Sequence, residues 1–197
     1  MRVIAGEAKG RTLKAVPGMN TRPTTDKVKE AIFSMIGPYF DGGMALDLFA
    51  GTGGLGIEAW SRGIERTVFI DREKISIDTI RQNVETARMG SAAEIYRNDA
   101  ERALKALAKR GQRFRLVLLD PPYKMITMDA LMEQLAELKL LESGAIIVVE
   151  HDAAHKYPER LDHFDQMKHA KYGDIAVSIY TYNNEDIHEG SEAGVNE

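Results

Sequence analysis

From residue 44 onward, short apolar runs alternate with stretches whose apolar positions recur every three or four residues. That alternation predicts βαβ units and a largely parallel sheet. The strands fall at Ala45 to Phe49, Thr67 to Ile70, Ala93 to Arg97, Leu116 to Leu119 and Ala145 to Val149. The intervening helices begin near Leu55, then carry Ile77, Ile80, Val84 and Ala87, next Ala103, Leu104 and Leu107, and last Leu131, Leu135 and Leu138. Two further strands, near His163 to Met167 and Ile175 to Tyr182, are joined through Gly173, a turn short enough for an antiparallel hairpin at the sheet edge.

The first forty residues follow another pattern. Val3 to Ala5 and Thr12 to Val16 read as two short strands around a turn rich in glycine and charge. A helix follows Pro23, capped by Thr24 or Thr25, with Val28, Ala31, Ile32 and Met35 on one face. Gly37-Pro38 ends it, so three regions are expected: a basic hairpin and helix over 1–40, a main domain over 41–182, and a polar tail over 183–197.

Charge sharpens this division. The net −4 conceals seven Lys/Arg against three Asp/Glu in residues 1–40 and five acids without Lys/Arg in residues 183–197. The basic segment is an electrostatic footprint suited to a polyanion, with Arg2, Lys9, Arg11, Arg22, Lys27 and Lys29 as candidate phosphate contacts. The acidic, Gly- and Ser-containing tail reads as disordered. With no cysteine, a disulfide framework, a cysteine-ligated metal and a thiolate nucleophile are all excluded. No apolar run approaches the ~20 residues that span a bilayer, and no signal peptide pattern opens the chain. A soluble, cytoplasmic protein without membrane contact, and a monomer, is the expectation.

Acidic residues close four of the strands: Asp71 the second, Asp99 the third, Asp120 the fourth and Glu150 the fifth. Ligands of open α/β sheets bind beyond the carboxyl ends of the strands, so these acids should converge on one crevice. The first strand leads into Asp47-Leu48-Phe49-Ala50-Gly51-Thr52-Gly53-Gly54-Leu55-Gly56. Gly51-x-Gly53-x-x-Gly56, with Asp71 20 residues beyond Gly51, matches the dinucleotide fingerprint, which makes NAD a contender. Asp47 argues for S-adenosylmethionine instead: an acid there repels a pyrophosphate but attracts an α-ammonium. On that reading Asp47, Gly51, Thr52, Gly53, Asp71 and Asp99 hold the cofactor, Asp71 at the ribose and Asp99 at the adenine amine. Asp71 and Asp99 could alternatively be helix N-caps.

Asp120-Pro121-Pro122-Tyr123 lies 73 residues beyond Asp47 and supplies the candidate chemistry. An exocyclic amine on a base is a poor nucleophile because its lone pair is delocalised. The Asp120 carboxylate and the Pro121 carbonyl can each accept one of its N–H bonds and so direct the lone pair at a methyl carbon. Pro122 stiffens the backbone, and Tyr123 offers a ring for stacking worth about 1–3 kcal/mol per base. Such a base must be unstacked first, which favours a single-stranded or loop nucleotide.

The chain resembles the bacterial small-subunit ribosomal RNA guanine-N2 methyltransferases of the RsmD type. The resemblance covers about residues 1–182 and rests on Arg2-Val3-Ile4-Ala5-Gly6 with Lys9-Gly10-Arg11, the segment Arg22 to Phe33, the glycine loop, Asp120 to Tyr123, and Lys171-Tyr172-Gly173-Asp174. It implies a class I S-adenosylmethionine-dependent fold, Rossmann-like, with a mostly parallel seven-stranded sheet, a C-terminal antiparallel hairpin and a small N-terminal extension. It implies S-adenosylmethionine as donor, guanine N2 in small-subunit ribosomal RNA as acceptor, and an assembled particle as substrate. The residues alone reach only amino methylation of a planar group. A DNA adenine-N6 methyltransferase is the alternative, and a noncatalytic RNA-binding protein a third reading.

Overall fold

The computed structural model describes residues 1–18, 24–122 and 127–184 of the chain. Tyr123, Arg22 and all but the first two residues of the tail therefore lie outside the described residues.

Helix α1 (Asp26–Ile36) starts where Thr25 accepts the Val28 N–H and buries Val28, Lys29, Ile32 and Phe33. The expected stripe is thus turned by part of a helical step. Positions 29 and 33 face inward instead of 31 and 35.

The main sheet is built from β1 (Met44–Asp47), β2 (Arg66–Asp71), β3 (Ala93–Arg97), β4 (Phe114–Leu119), β5 (Leu141–Asp152), β6 (Arg160–Leu161), β7 (Phe164–Tyr172) and β8 (Ile175–Tyr182). The strands lie in the order β3-β2-β1-β4-β5-β8-β7-β6. Strands β1 to β5 pair in parallel, and β8 pairs antiparallel with both β5 and β7. The sheet has eight strands, one more than expected, because two-residue β6 pairs with the start of β7. Helices α2 (Gly54–Ser61), α3 (Lys74–Ala87), α4 (Ala100–Lys109) and α5 (Met128–Glu137) connect the parallel strands. The fold is the class I methyltransferase architecture, with chain reversal between β1 and β4 creating the crevice where such sheets bind ligands.

Two boundaries differ from expectation in ways that matter. The fifth strand continues past Glu150 to Asp152, because its register with β8 runs unbroken from Ile146 to Asp152. Glu150 is therefore within the strand. The N-terminal strands reduce to one bridge, Arg2 to Thr12, flanked by Val3 N–H to Arg11 O and Leu13 N–H to Met1 O bonds. This segment forms no core of its own. Val3, Ala8 and Leu13 pack with Ile57, Phe69, Ile77 and Ile80, while Ile32 and Phe33 pack with Ala45, Leu116 and Ile179. Each such side chain fully removed from water contributes about 1.5–3 kcal/mol, enough to fasten the extension to the body.

Among the described residues no helix is long and apolar enough to cross a membrane.

Candidate active site

The carboxyl ends of β1, β2 and β4 open into a cavity of about 900 Å³. Its lining includes Asp47, Gly51, Thr52, Asp71, Asp99, Asp120, Pro121 and Pro122. Residues from both sequence motifs therefore share one chamber.

Asp47 is 1% exposed, and among the described residues its carboxylate accepts one hydrogen bond, from the Gly56 N–H at 3.0 Å. Burial pushes its carboxyl up to about 7, with Asp71 adding to the rise and the Gly56 N–H opposing it. A buried carboxylate with one donor keeps acceptor capacity for a further partner. Gly56 lets α2 come this close to the sheet: a Cβ there would sit 2.5 Å from Phe69 Cε1 and 3.0 Å from Asp47 Oδ2. Gly51, at φ +57, would meet nothing within 4 Å, so its backbone borders open space.

Gly53 is not among the residues that line the cavity; it caps α2 in the left-handed region at φ +80. Thr52 does line the cavity, with its hydroxyl accepting the Gly54 N–H at 3.2 Å.

Asp71 latches the glycine loop. One carboxylate oxygen accepts the Gly51 N–H and the other the Glu73 N–H, both at 2.9 Å. Each oxygen retains acceptor capacity toward a sugar hydroxyl. Asp99 is the N-cap of α4, accepting the Arg102 N–H at 3.0 Å, and it borders the cavity as well. The third strand itself ends at Arg97.

Asp120, directly after β4, faces the chamber. Burial, then the nearby Glu150 and Asp47 carboxylates, hold its carboxyl well above the usual range, against a hydrogen bond from Thr24 that pulls the other way. Glu150 is 7% exposed and raised too, chiefly by burial. Thr24 Oγ1 stands 2.8 Å from Glu150 Oε2 and 3.4 Å from Asp120 Oδ2.

The candidate phosphate contacts divide. Lys9 and Lys27 are exposed. Arg2 is exposed but paired with Asp26 at 3.5 Å, and Arg11 donates to the Thr86 carbonyl at 3.0 Å. Lys29 is a correction: it is fully buried, its ammonium 3.7 Å from Glu58 and bonded to the Arg2 carbonyl. Glu58 also pairs with Arg62 at 2.9 Å and accepts the Ile4 and Ala5 N–H groups. Position 29 lies on the buried stripe of α1, and a cation there is tolerated only because Glu58 faces it. Lys29 clamps the N-terminal segment and does not reach an RNA surface.

Several lining residues carry no sequence signal. Met1, Ala15 and Val16 bring the N-terminal segment to the chamber, and buried Asn83 ties that segment to the glycine loop. Its amide exchanges two bonds with the Lys14 backbone, at 2.7 and 3.0 Å, and donates to the Thr52 carbonyl at 2.8 Å. Ser76 lines the cavity with a buried Oγ that has no hydrogen-bond partner among the described residues. A buried hydroxyl without a protein partner, a buried acid and bare glycine backbone in one chamber together fit an amino-acid nucleoside such as S-adenosylmethionine. They fit a pyrophosphate poorly, because Asp47 would repel it.

Residues 1–181 match the family model described as Conserved hypothetical protein 95. The chain belongs to this family. The Bacillus subtilis protein YlbH is 54% identical over 180 residues, covering 91% of this chain and 98% of the relative. Ribosomal RNA small subunit methyltransferase D of Haemophilus influenzae is 34% identical, covering 76% of this chain and 78% of the relative. Among solved structures, yhhF of Escherichia coli superposes with a TM-score of 0.77 at 28% identity, covering 93% of this chain and 98% of that one.

Proposed function

We propose that this protein methylates the N2 amino group of a guanine in small-subunit ribosomal RNA. The coarser part of the reading, S-adenosylmethionine-dependent methylation of ribosomal RNA, follows from membership of the family that includes the Haemophilus enzyme. The observation that supports amino methylation is the placement of Asp120, Pro121 and Pro122 in the same chamber as Asp47 and the glycine loop, and guanine N2 as the acceptor is what the resemblance to the RsmD type implies. An amine acceptor and a methyl donor are thereby handled side by side.

Asp47 opposes the donor's ammonium, the Gly51 backbone lies against its sugar, and Asp71 accepts from the ribose while bracing the loop. Asp99 accepts from the adenine amine. Bound S-adenosylmethionine supplies an already activated methyl group, so no covalent enzyme intermediate is needed. Asp120 and the Pro121 carbonyl accept the two N–H bonds of the target amine and hold its lone pair along the line of displacement. Positioning is the main catalytic device. Asp120 then takes the proton that the methylated nitrogen must lose, a task for which its raised proton affinity suits it. Tyr123, next to Pro122 in sequence, is assigned to stack the base, and Lys9, Lys27 and Arg11 are assigned to RNA phosphates.

The test is incubation with labelled S-adenosylmethionine and small subunits, naked RNA or DNA from cells lacking the protein, followed by digestion to nucleosides. Label in N2-methylguanosine supports the reading. Label in N6-methyldeoxyadenosine would overturn it in favour of a DNA enzyme, and no label would favour a binding protein.

A further inference from the structure

We propose that Thr24 and Glu150 form the exit for the proton that Asp120 takes from the methylated amine. The inference rests on the amine-methylation reading above, and it assigns roles to two residues that act through Asp120 without touching the reacting nitrogen.

Three elements meet here. Asp120 ends β4, Glu150 stands in β5, and Thr24 immediately precedes the N-cap of α1. Their contacts converge on one oxygen: Thr24 Oγ1 lies 2.8 Å from Glu150 Oε2 and 3.4 Å from Asp120 Oδ2. A hydroxyl has one proton to give and can accept as well, so it can serve only one carboxylate as donor. When Asp120 is protonated, its O–H can be received by Thr24 while Thr24 donates to Glu150. A single chain of hydrogen bonds then runs from the reacting side of Asp120 to Glu150.

The direction follows from access. The open side of Asp120 is the chamber, which base and donor fill in the reacting state. Thr24, 8% exposed, borders the chamber beside Asp120 and leads from it to Glu150, which is 7% exposed and outside the chamber lining. Asp71, Arg72, Glu73, Asp99 and Glu101 also border the chamber, but among the described residues the side-chain hydrogen bond to Asp120 comes from Thr24. Asp47, from β1, is engaged by the Gly56 N–H, and Lys29, from α1, is paired with Glu58. His151, the neighbour of Glu150 in β5, bonds instead to Ser178 of β8 at 2.8 Å, and Val177, opposite Glu150 in register, has nothing to titrate.

The proton balance is simple. As nitrogen bonds to the methyl carbon, the carbon–sulfur bond of the sulfonium donor breaks and its electron pair stays on sulfur. The nitrogen becomes cationic, one N–H bond breaks, and that pair returns to nitrogen while the proton goes to Asp120. Asp120 passes a proton to Thr24 Oγ1 as the original Thr24 proton moves to Glu150 Oε2. One proton has left the amine and one rests on Glu150, held until product release opens the chamber.

Single-turnover methylation across pH, with cofactor affinity measured alongside, tests this in wild type, Glu150→Gln, Thr24→Val and Thr24→Ser. Glu150→Gln retains an acceptor for the Thr24 hydroxyl yet takes no proton. Its rate should fall at least about tenfold near neutral pH, its acid limb should move to lower pH because Asp120 loses an anionic neighbour, and cofactor affinity should stay within about twofold. Thr24→Val should show the rate loss, and Thr24→Ser, which keeps a hydroxyl, should recover most of it. A Glu150→Gln rate and acid limb matching wild type would overturn the relay, as would equal losses in Thr24→Ser and Thr24→Val. The nucleoside formed separates the two claims: methylation of some other amine, with the same pattern of variant losses, would overturn the guanine-N2 reading and leave the relay standing.

Discussion

If Asp47 receives the ammonium of S-adenosylmethionine, the affinity of the protein for its cofactor should rise steeply with pH through neutrality. Asp47 is 1% exposed and burial lifts its carboxyl from 3.8 to about 7 in the cofactor-free protein. Below that value the carboxyl is increasingly neutral, and the cofactor must then drive off a proton before it can pair. Each pH unit below 7 weakens binding about tenfold, or ~1.4 kcal/mol. From pH 7.5 to pH 5 the loss is therefore roughly eightyfold, about 2.6 kcal/mol, which matches the ~1.5–3 kcal/mol expected of a charge-assisted hydrogen bond. Above pH ~8 the free α-amino group of the cofactor loses its own proton, so affinity should pass through a maximum between about 7 and 8. Isothermal titration over pH 5–9 measures this. Asp47→Asn keeps an acceptor for the Gly56 N–H and removes the charge, so its acid limb should vanish and its affinity at pH 7.5 should fall toward that of wild type at pH 5. A wild-type affinity flat between pH 5 and 7.5, or an acid limb surviving in the Asn variant, would refute the assignment.

Three further outcomes follow from the same geometry. Asp71→Ala removes the acceptor for both the Gly51 and Glu73 N–H groups, so cofactor binding should weaken by about 1.5–3 kcal/mol, with a lowered melting temperature; unchanged affinity would reduce Asp71 to a cap. Gly56→Ala drives a methyl group against Phe69 and Asp47 and should destabilise the fold by about 1–3 kcal/mol in denaturant titration, whereas an unchanged midpoint would deny that close packing. Lys9→Ala combined with Lys27→Ala should lower the slope of log RNA affinity against log salt by roughly 0.7–0.9 per lost phosphate contact, and superimposable slopes would move the RNA surface elsewhere.

The alternating strands and helices were legible because each helix face and each central strand repeats its own period, and the glycine loop because its residues answer local backbone needs. Asp71, Asp99 and Asp120 at the chamber were legible for the same topological reason, whereas Glu150 lies within β5 and outside the chamber lining. What escaped depends on contacts between distant segments. Lys29 reads as a surface cation until Glu58, 29 residues away, is found against it. Gly53 satisfies a ligand fingerprint as well as a turn, and the structure places it as the left-handed cap of α2. Strand β6 is two residues long and exists only through its pairing with β7. Thr24 is simply one of two candidate caps in the sequence; Thr25 takes the cap, which releases Thr24 to join Asp120 and Glu150. Asn83, on a helix face that reads as ordinary, proves to bind the N-terminal segment to the glycine loop.

The central claim is that this chamber presents a guanine amine to a methyl donor through Asp120. Mass analysis of nucleosides from small-subunit ribosomal RNA tests it directly, using cells that lack the protein and the same cells carrying wild type or Asp120→Ala. N2-methylguanosine should be short by one residue per subunit in the deficient cells, restored by wild type, and not restored by Asp120→Ala despite near-normal cofactor binding by that variant in vitro. An unchanged N2-methylguanosine content in the deficient cells, or full restoration by Asp120→Ala, would contradict the account.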